Sequence, residues 1–273
     1  MPSTYTIDMA IPQSEISYNF KKMNIFTHVG DARNIPEPDG KFHSIITSPP
    51  YYGLRSYGES ADEIGKGDLD DYLQQMRDCA SEWLRVLDDD GLLWVNIGDT
   101  ASGSGGAGGD YSRGGSKDGR PLYRQGQTDR ASMQWLNIPH RIVEMFVEEG
   151  WLYRSCITWD KGRLRPEDLK HARRPGMSHE FIFMFAKTRK HRFFENELME
   201  RGSVWHFPPA KGVKHQAPFP LDLPLRCIPL STTTEDWVLD PFAGSGTTLK
   251  AASILNRNAV GVDLYGVPGM STE

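Results

Sequence analysis

Two short strings in this chain carry residue types whose spacing could do chemistry. The first is Asp240-Pro241-Phe242-Ala243-Gly244-Ser245-Gly246-Thr247-Thr248, which follows the apolar run Trp237 to Leu239 and precedes a helical pattern. A dinucleotide-binding turn wants a third glycine three residues after Gly246, where Leu249 stands. A phosphate-gripping loop wants lysine before Ser/Thr, and Thr247-Thr248 has none. What remains is a tight turn from a strand into a helix N-terminus, whose free N–H groups can meet the small carboxylate of an amino acid. Asp240, ending the strand, is placed to accept from an ammonium. Asp263 ends the next apolar run, where an acid takes ribose hydroxyls in α/β nucleotide sites.

The second string, Ser48-Pro49-Pro50-Tyr51, follows the strand candidate Ser44 to Thr47, so it should sit at a strand's carboxyl end, where α/β sheets bind ligands. Proline has no N–H and a fixed φ, so such a turn can present its carbonyls inward as acceptors. Either string alone reads equally well as a structural turn. Their presence in one chain argues for a shared site.

An amino acid joined to a ribose describes S-adenosylmethionine (SAM). The stretch Asp240 to Thr248 resembles the SAM loop of amino-directed DNA methyltransferases, and Gly30-Asp31-Ala32 resembles the segment that contacts the cofactor's adenine in that family. The resemblance makes Asp31, Asp240, Pro241, Phe242, Gly244, Gly246, Thr247, Asp263 and Phe219 cofactor residues, and Ser48, Pro49, Pro50 and Tyr51 the catalytic turn. An exocyclic base nitrogen has its lone pair delocalised into the ring and is a poor nucleophile. The resemblance implies that the Ser48 hydroxyl and the Pro49 carbonyl pull on its hydrogens, freeing the lone pair to attack the sulfonium methyl, while Tyr51 stacks on a base flipped out of duplex DNA. Family members with serine at this position usually methylate cytosine N4, those with Asp or Asn usually adenine N6. Cytosine N4 is therefore the expected target, with adenine N6 the alternative. Two further segments match: Ser178 to Phe185 resembles the strand that helps line the base pocket, and Gly202 to Trp205 through His215, Ala217, Phe219 and Pro220 resembles the segment packing on the methionine end of SAM.

To position these turns the chain needs a wound sheet. Strand candidates are Asn24–Val29, Ser44–Thr47, Leu92–Ile97, Leu152–Trp159, Phe181–Ala186, Trp237–Leu239 and Ala259–Asp263. Apolar residues at three and four from Leu69 to Leu87, with Gly91 just beyond, predict a helix; so do Pro139–Glu149, a short stretch near Leu221–Ile228, and the run to about Leu255. The catalytic string precedes the cofactor string by almost two hundred residues. If the strand ending at Asp263 is followed in space by Asn24–Val29, the chain is a circular permutation. This order resembles the beta group of amino methyltransferases, and the resemblance implies an α/β, Rossmann-like, seven-stranded SAM-dependent methyltransferase sheet with its core at residues 24–264 of one catalytic domain 1–273. The last residues read as an untethered tail.

Composition bounds the rest. No apolar run is long enough to span a membrane, no signal-peptide pattern opens the chain, and Cys79, Cys156 and Cys227 form no CxxC pair. A cytoplasmic enzyme, bacterial, archaeal or phage-encoded, with neither zinc nor disulfide is expected. The net charge of −5 speaks against a polyanion partner, yet Lys161, Arg163, Arg165, Lys170, Arg173 and Arg174 cluster, as do Lys187, Arg189, Lys190 and Arg192, while acids crowd Asp62 to Asp90. The family usually has a sizeable recognition region where only Lys187 to Arg201 intervene here. Double-stranded DNA is therefore expected to be read by residues 102–130 and 161–175, through Arg163, Arg165, Arg173 and Arg174. A cognate restriction endonuclease is a candidate partner, and monomer and homodimer both remain open. Competing readings are an RNA or protein-amide methyltransferase, which keeps the cofactor loop ahead of the tetrapeptide, an inactive SAM-fold binding module, and an α/β oxidoreductase, which the missing third glycine disfavours.

Overall fold

A computed structural model describes residues 23–53, 60–65, 67–102, 134–164, 175–195, 202–210 and 219–270. Its strands are β1 (Ile25–Val29), β2 (Phe42–Thr47), β3 (Leu87–Ile97), β4 (Leu152–Asp160), β5 (His179–Ala186), β6 (Val204–His206), β7 (Trp237–Asp240) and β8 (Asn258–Asp263). Four helices intervene: α1 (Leu69–Val86), α2 (Ile138–Glu148), α3 (Asp222–Ser231) and α4 (Thr247–Ile254). The strands form one sheet in the order β1-β8-β7-β2-β3-β5-β4-β6. It is parallel apart from β5, which runs antiparallel to both β3 and β4.

The register carries the expected permutation. β1 lies parallel to β8, with Ile25 beside Ala259 and Val29 beside Asp263. The first strand of the chain thus continues the sheet beyond the last, as the reversed motif order requires.

Helix α1 forms where the apolar spacing predicts it. Asp68 caps it reciprocally, Asp68 Oδ1 accepting from Asp71 N (2.9 Å) and Asp71 Oδ2 from Asp68 N (3.2 Å). Its buried stripe includes Tyr72, Met76 and Trp83, each 0 % exposed, and burying a large apolar side chain contributes about 1.5–3 kcal/mol, which outweighs the helix's many acids. Together α1 and α2 cover one face of the sheet, α3 and α4 the other. The central strands are therefore covered on both faces, and in such sheets ligands bind at the strand ends.

Four expectations are corrected. Among the described residues the sheet has eight strands rather than the seven expected, because Val204–His206, absent from the strand candidates, pairs with β4; three residues are too few to show a period. Gly91 does not follow α1 but lies within β3, which begins at Leu87 and shifts register against β2 before Leu92. Helix α3 runs to Ser231 with Pro229 inside it. The described part of the tail is tethered: Val267 is 4 % exposed in the core on the α4 face. Among the described residues no helix is long and apolar enough to cross a membrane.

Candidate active site

Strands β2 and β7 are parallel neighbours, Ser44 beside Val238 and Ile45 beside Leu239. Parallel neighbours deliver their C-terminal turns to the same edge, so Ser48 to Tyr51 and Asp240 to Thr248 meet there. A buried carboxylate pins them. Asp240 Oδ1 accepts from Thr47 Oγ1 (2.9 Å) and Phe242 N (3.1 Å), and Oδ2 accepts from Thr248 Oγ1 (2.6 Å). Burial pushes the Asp240 carboxyl up to about 6 despite these donors. The expected role as ammonium acceptor is not what this geometry favours: Asp240 is 1 % exposed and both oxygens are engaged within the fold. It joins the end of β2 to the start of α4 instead.

The glycine turn is held from the other side by Asp263. Its Oδ2 accepts from Gly244 N (3.0 Å) and its Oδ1 from Tyr265 N (2.9 Å), while its backbone carbonyl accepts from Gly30 N (3.1 Å). The half-buried carboxylate thus braces the turn and links it to Gly30-Asp31. Gly246 has φ of 78° and begins α4 without a side-chain cap; a Cβ there would come within 3.2 Å of Val267 Cγ1 and Met270 Cε. The left-handed turn and the close approach of the tail both require glycine. Gly246 has no side chain with which to cap the first-turn amides of α4.

Asp31 is half-buried, and Arg33 binds it with backbone N (2.9 Å), Nε (2.9 Å) and Nη2 (2.6 Å). Burial would raise this carboxyl, but the Arg33 hydrogen bonds and charge outweigh it and hold it below the usual range. Pro241 is buried. Phe242 packs edge-on against Trp83, with ring centroids 6.0 Å apart. Phe219 and Pro220 join Ser245, Gly246 and Thr247 around a cavity of about 990 Å³; His215 and Ala217 lie outside the described residues.

In the catalytic turn Ser48 is half-buried, Pro49 buried and Tyr51 half-buried. The Pro50 carbonyl accepts from Tyr72 Oη (3.0 Å), which ties the turn to α1. The Tyr51 hydroxyl donates to Glu180 Oε2 (2.9 Å). Glu180, Asn96 and Thr47 carry no sequence signal of this role; only the position of Glu180 in the segment Ser178 to Phe185 points towards the pocket. Asp99 carries none either. Its carboxylate accepts from Asn137 N (3.0 Å) and Ile138 N (3.0 Å), so the end of β3 caps α2.

The two basic clusters part company. Arg163 is exposed just past β4 and Lys161 is spent on Glu180; Arg165, Lys170, Arg173 and Arg174, with residues 103–130, lie outside the described residues. The run Lys187 to Arg192 follows Ala186, which pairs with Leu92, so it sits at the edge of the sheet opposite the catalytic turn. There Lys187 pairs with Asp89 (2.8 Å) and Arg192 with Asp90 (2.6 Å) and Asp236 (3.0 Å). The acids that crowd Asp62 to Asp90 neutralise part of this run.

A wound sheet with a glycine turn unsuited to phosphate, set beside a proline-rich acceptor turn, defines a SAM-dependent methyltransferase. Residues 42–266 match the sequence profile of the DNA methylase family of N6/N4 methyltransferases, and the chain belongs to that family. It is 37 % identical over 255 residues to the Type II methyltransferase M.Cfr9I of Citrobacter freundii, covering 86 % of this chain and 82 % of that one. It is 32 % identical to M.SmaI of Serratia marcescens, covering 86 % and 85 %. Among solved structures, a candidate DNA modification methylase of Thermus thermophilus, complexed with S-adenosyl-L-methionine, superposes with a TM-score of 0.61 at 26 % identity, covering 89 % and 88 %. The PvuII DNA methyltransferase, cytosine-N4-specific, shares the fold with a TM-score of 0.65 at 18 % identity, covering 90 % and 86 %.

Proposed function

We propose that the protein methylates the exocyclic N4 amine of cytosine in a specific duplex DNA sequence, using SAM, by flipping the base and transferring the methyl group directly. One observation carries this reading: the catalytic and cofactor turns end adjacent parallel strands and are pinned together through Thr47 and Asp240. A nitrogen nucleophile held by the first turn would face a sulfonium methyl held by the second. Serine at position 48 supports cytosine over adenine. In this reading the first amides of α4 take the methionine carboxylate, Asp263 the ribose hydroxyls, and Asp31 and Phe219 line the adenine and methionine ends. No covalent adduct forms, because the amine itself attacks. The relatives' designation as Type II methyltransferases suits a place in a restriction–modification pair.

Unmethylated DNA incubated with labelled SAM, digested to nucleosides and resolved by mass spectrometry, should yield N4-methylcytosine. N6-methyladenine as the sole product would overturn the base assignment.

Recognition is proposed to rest on residues 102–130 and 161–175. Changing Arg163, Arg165, Arg173 and Arg174 together to alanine should weaken DNA binding and flatten its dependence on log salt by about 0.9 for each phosphate that is no longer neutralised. An unchanged affinity and slope would refute the assignment.

A further inference from the structure

Tyr51 does not stand alone in the base pocket. Its hydroxyl donates to Glu180 Oε2 (2.9 Å), and the same oxygen accepts from Asn96 Nδ2 (3.2 Å) near the end of β3. The other carboxylate oxygen, Oε1, is paired with Lys161 Nζ, and that ammonium also lies 4.8 Å from the centroid of the Trp159 ring. The Glu180 side chain is 14 % exposed and that of Lys161 18 %. An ion pair so shielded holds its geometry better than one in open solvent. The cluster is sized for a bare backbone: a Cβ on Gly98 would lie 3.1 Å from both Tyr51 Cε2 and Glu180 Cγ.

A purely structural account fits poorly. Strand β5 is already held on both sides, to β3 from Leu92 to Ile97 and to β4 from Leu152 to Asp160, so these side chains add little to strand pairing. What they do add is orientation. An ionised acceptor binds a phenol more strongly than a neutral one, and fixes it more tightly. A bare carboxylate at the mouth of a DNA site would repel phosphates, and the Lys161 ammonium cancels that charge.

We propose that Glu180, neutralised by Lys161, is the positioning residue of Tyr51: it fixes the ring as a wall for the flipped base. This rests on the reading of Tyr51 as the stacking residue. Because the hydroxyl is committed to Glu180, Tyr51 acts on the base through its ring face and not as a proton donor. Glu180 in turn works only through Tyr51.

The test is a double-mutant cycle read by single-turnover methyl transfer to PCR-amplified genomic DNA, alongside the Kd for SAM. Tyr51→Phe and Glu180→Ala should each lower the rate about 10-fold or more, the order expected when a reacting group loses its alignment, and the double variant should lose no more than either single one. Glu180→Gln keeps an acceptor for the hydroxyl but not its charge, and its rate should fall between those of Glu180→Ala and the parent. SAM affinity should be unchanged throughout. Losses that multiply in the double variant would overturn the proposal, as would an undiminished rate for Glu180→Ala or a parallel rise in the SAM Kd. The nucleoside product is read in the same experiment: N6-methyladenine would overturn the base assignment while leaving the cycle interpretable.

Discussion

Replacing Ser48 with alanine should lower turnover about 100- to 1000-fold while leaving SAM affinity nearly unchanged, the range seen when one preorganised polar group facing developing charge is removed. In the proposed mechanism the hydroxyl acts on the amine only as its lone pair is freed, so its loss falls on the rate of transfer and not on ground-state binding. The fold permits a clean experiment, because Ser48 is half-buried at the tip of the turn while the neighbouring Thr47 and Pro50 hold the turn in place. Asp263→Ala should show the opposite pattern. That carboxylate braces Gly244 and faces the proposed ribose position, so its loss should raise the SAM Kd more than it lowers the transfer rate. Single-turnover rates and SAM titrations on the two variants separate the roles, and an interchange of the two patterns would refute the division.

The second large effect concerns stability and comes from Asp240. Its replacement by alanine strips three donors of their acceptor, the Thr47 and Thr248 hydroxyls and the Phe242 amide. Buried unsatisfied groups cost about 1–3 kcal/mol each, so a net loss of about 3 kcal/mol is expected after relief of the buried charge. Asp240→Asn keeps an acceptor and removes the titration. The native carboxyl has its pKa raised from 3.8 to about 6, so proton uptake favours the folded chain. The stability it contributes is full below the unfolded pKa and is lost as pH rises through about 6. Relative to the Asn variant, the parent protein should lose about 2 kcal/mol between pH 4.5 and pH 7.5 in urea titrations. Asp99, which burial also raises, is common to both proteins and cancels. A constant difference at the two pH values would show that Asp240 titrates as an ordinary carboxyl.

What is legible in the sequence is whatever depends on neighbours a few residues away. The stripe of α1, the strand endings at Thr47, Asp240 and Asp263, and the two turns all follow from local period or turn chemistry. Their order along the chain, through its resemblance to the beta group, points to β1 lying beside β8, and the structure pairs them. The illegible features depend on partners far away. Arg192 reads as part of a basic face until Asp90, 102 residues distant, is seen bonded to it. Glu180 reads as a strand residue until Tyr51, 129 residues distant, donates to it. Asp240 misleads for the same reason: its spacing marks it as functional, but only the fold shows Thr47 and Thr248 consuming its oxygens. The strand β6 escapes notice because pairing with β4, and not its own composition, makes it a strand.

The permuted order of the strands has a consequence for how the chain is made. Strand β1 is synthesised first, yet its ladder is with β8, and Asn24 bonds Asn258 across 234 residues. Strand β7 enters the middle of the sheet, between β8 and β2, only after strands β1 to β6 have been made. Until then the emerging chain carries apolar β1 and β2 with open edges, which invite pairing with other chains. Folding that waits on such distant contacts is slow. The cofactor turn and the strands that flank it thus join the sheet after its other described strands have been made, and until then the nascent polypeptide must be kept from aggregating.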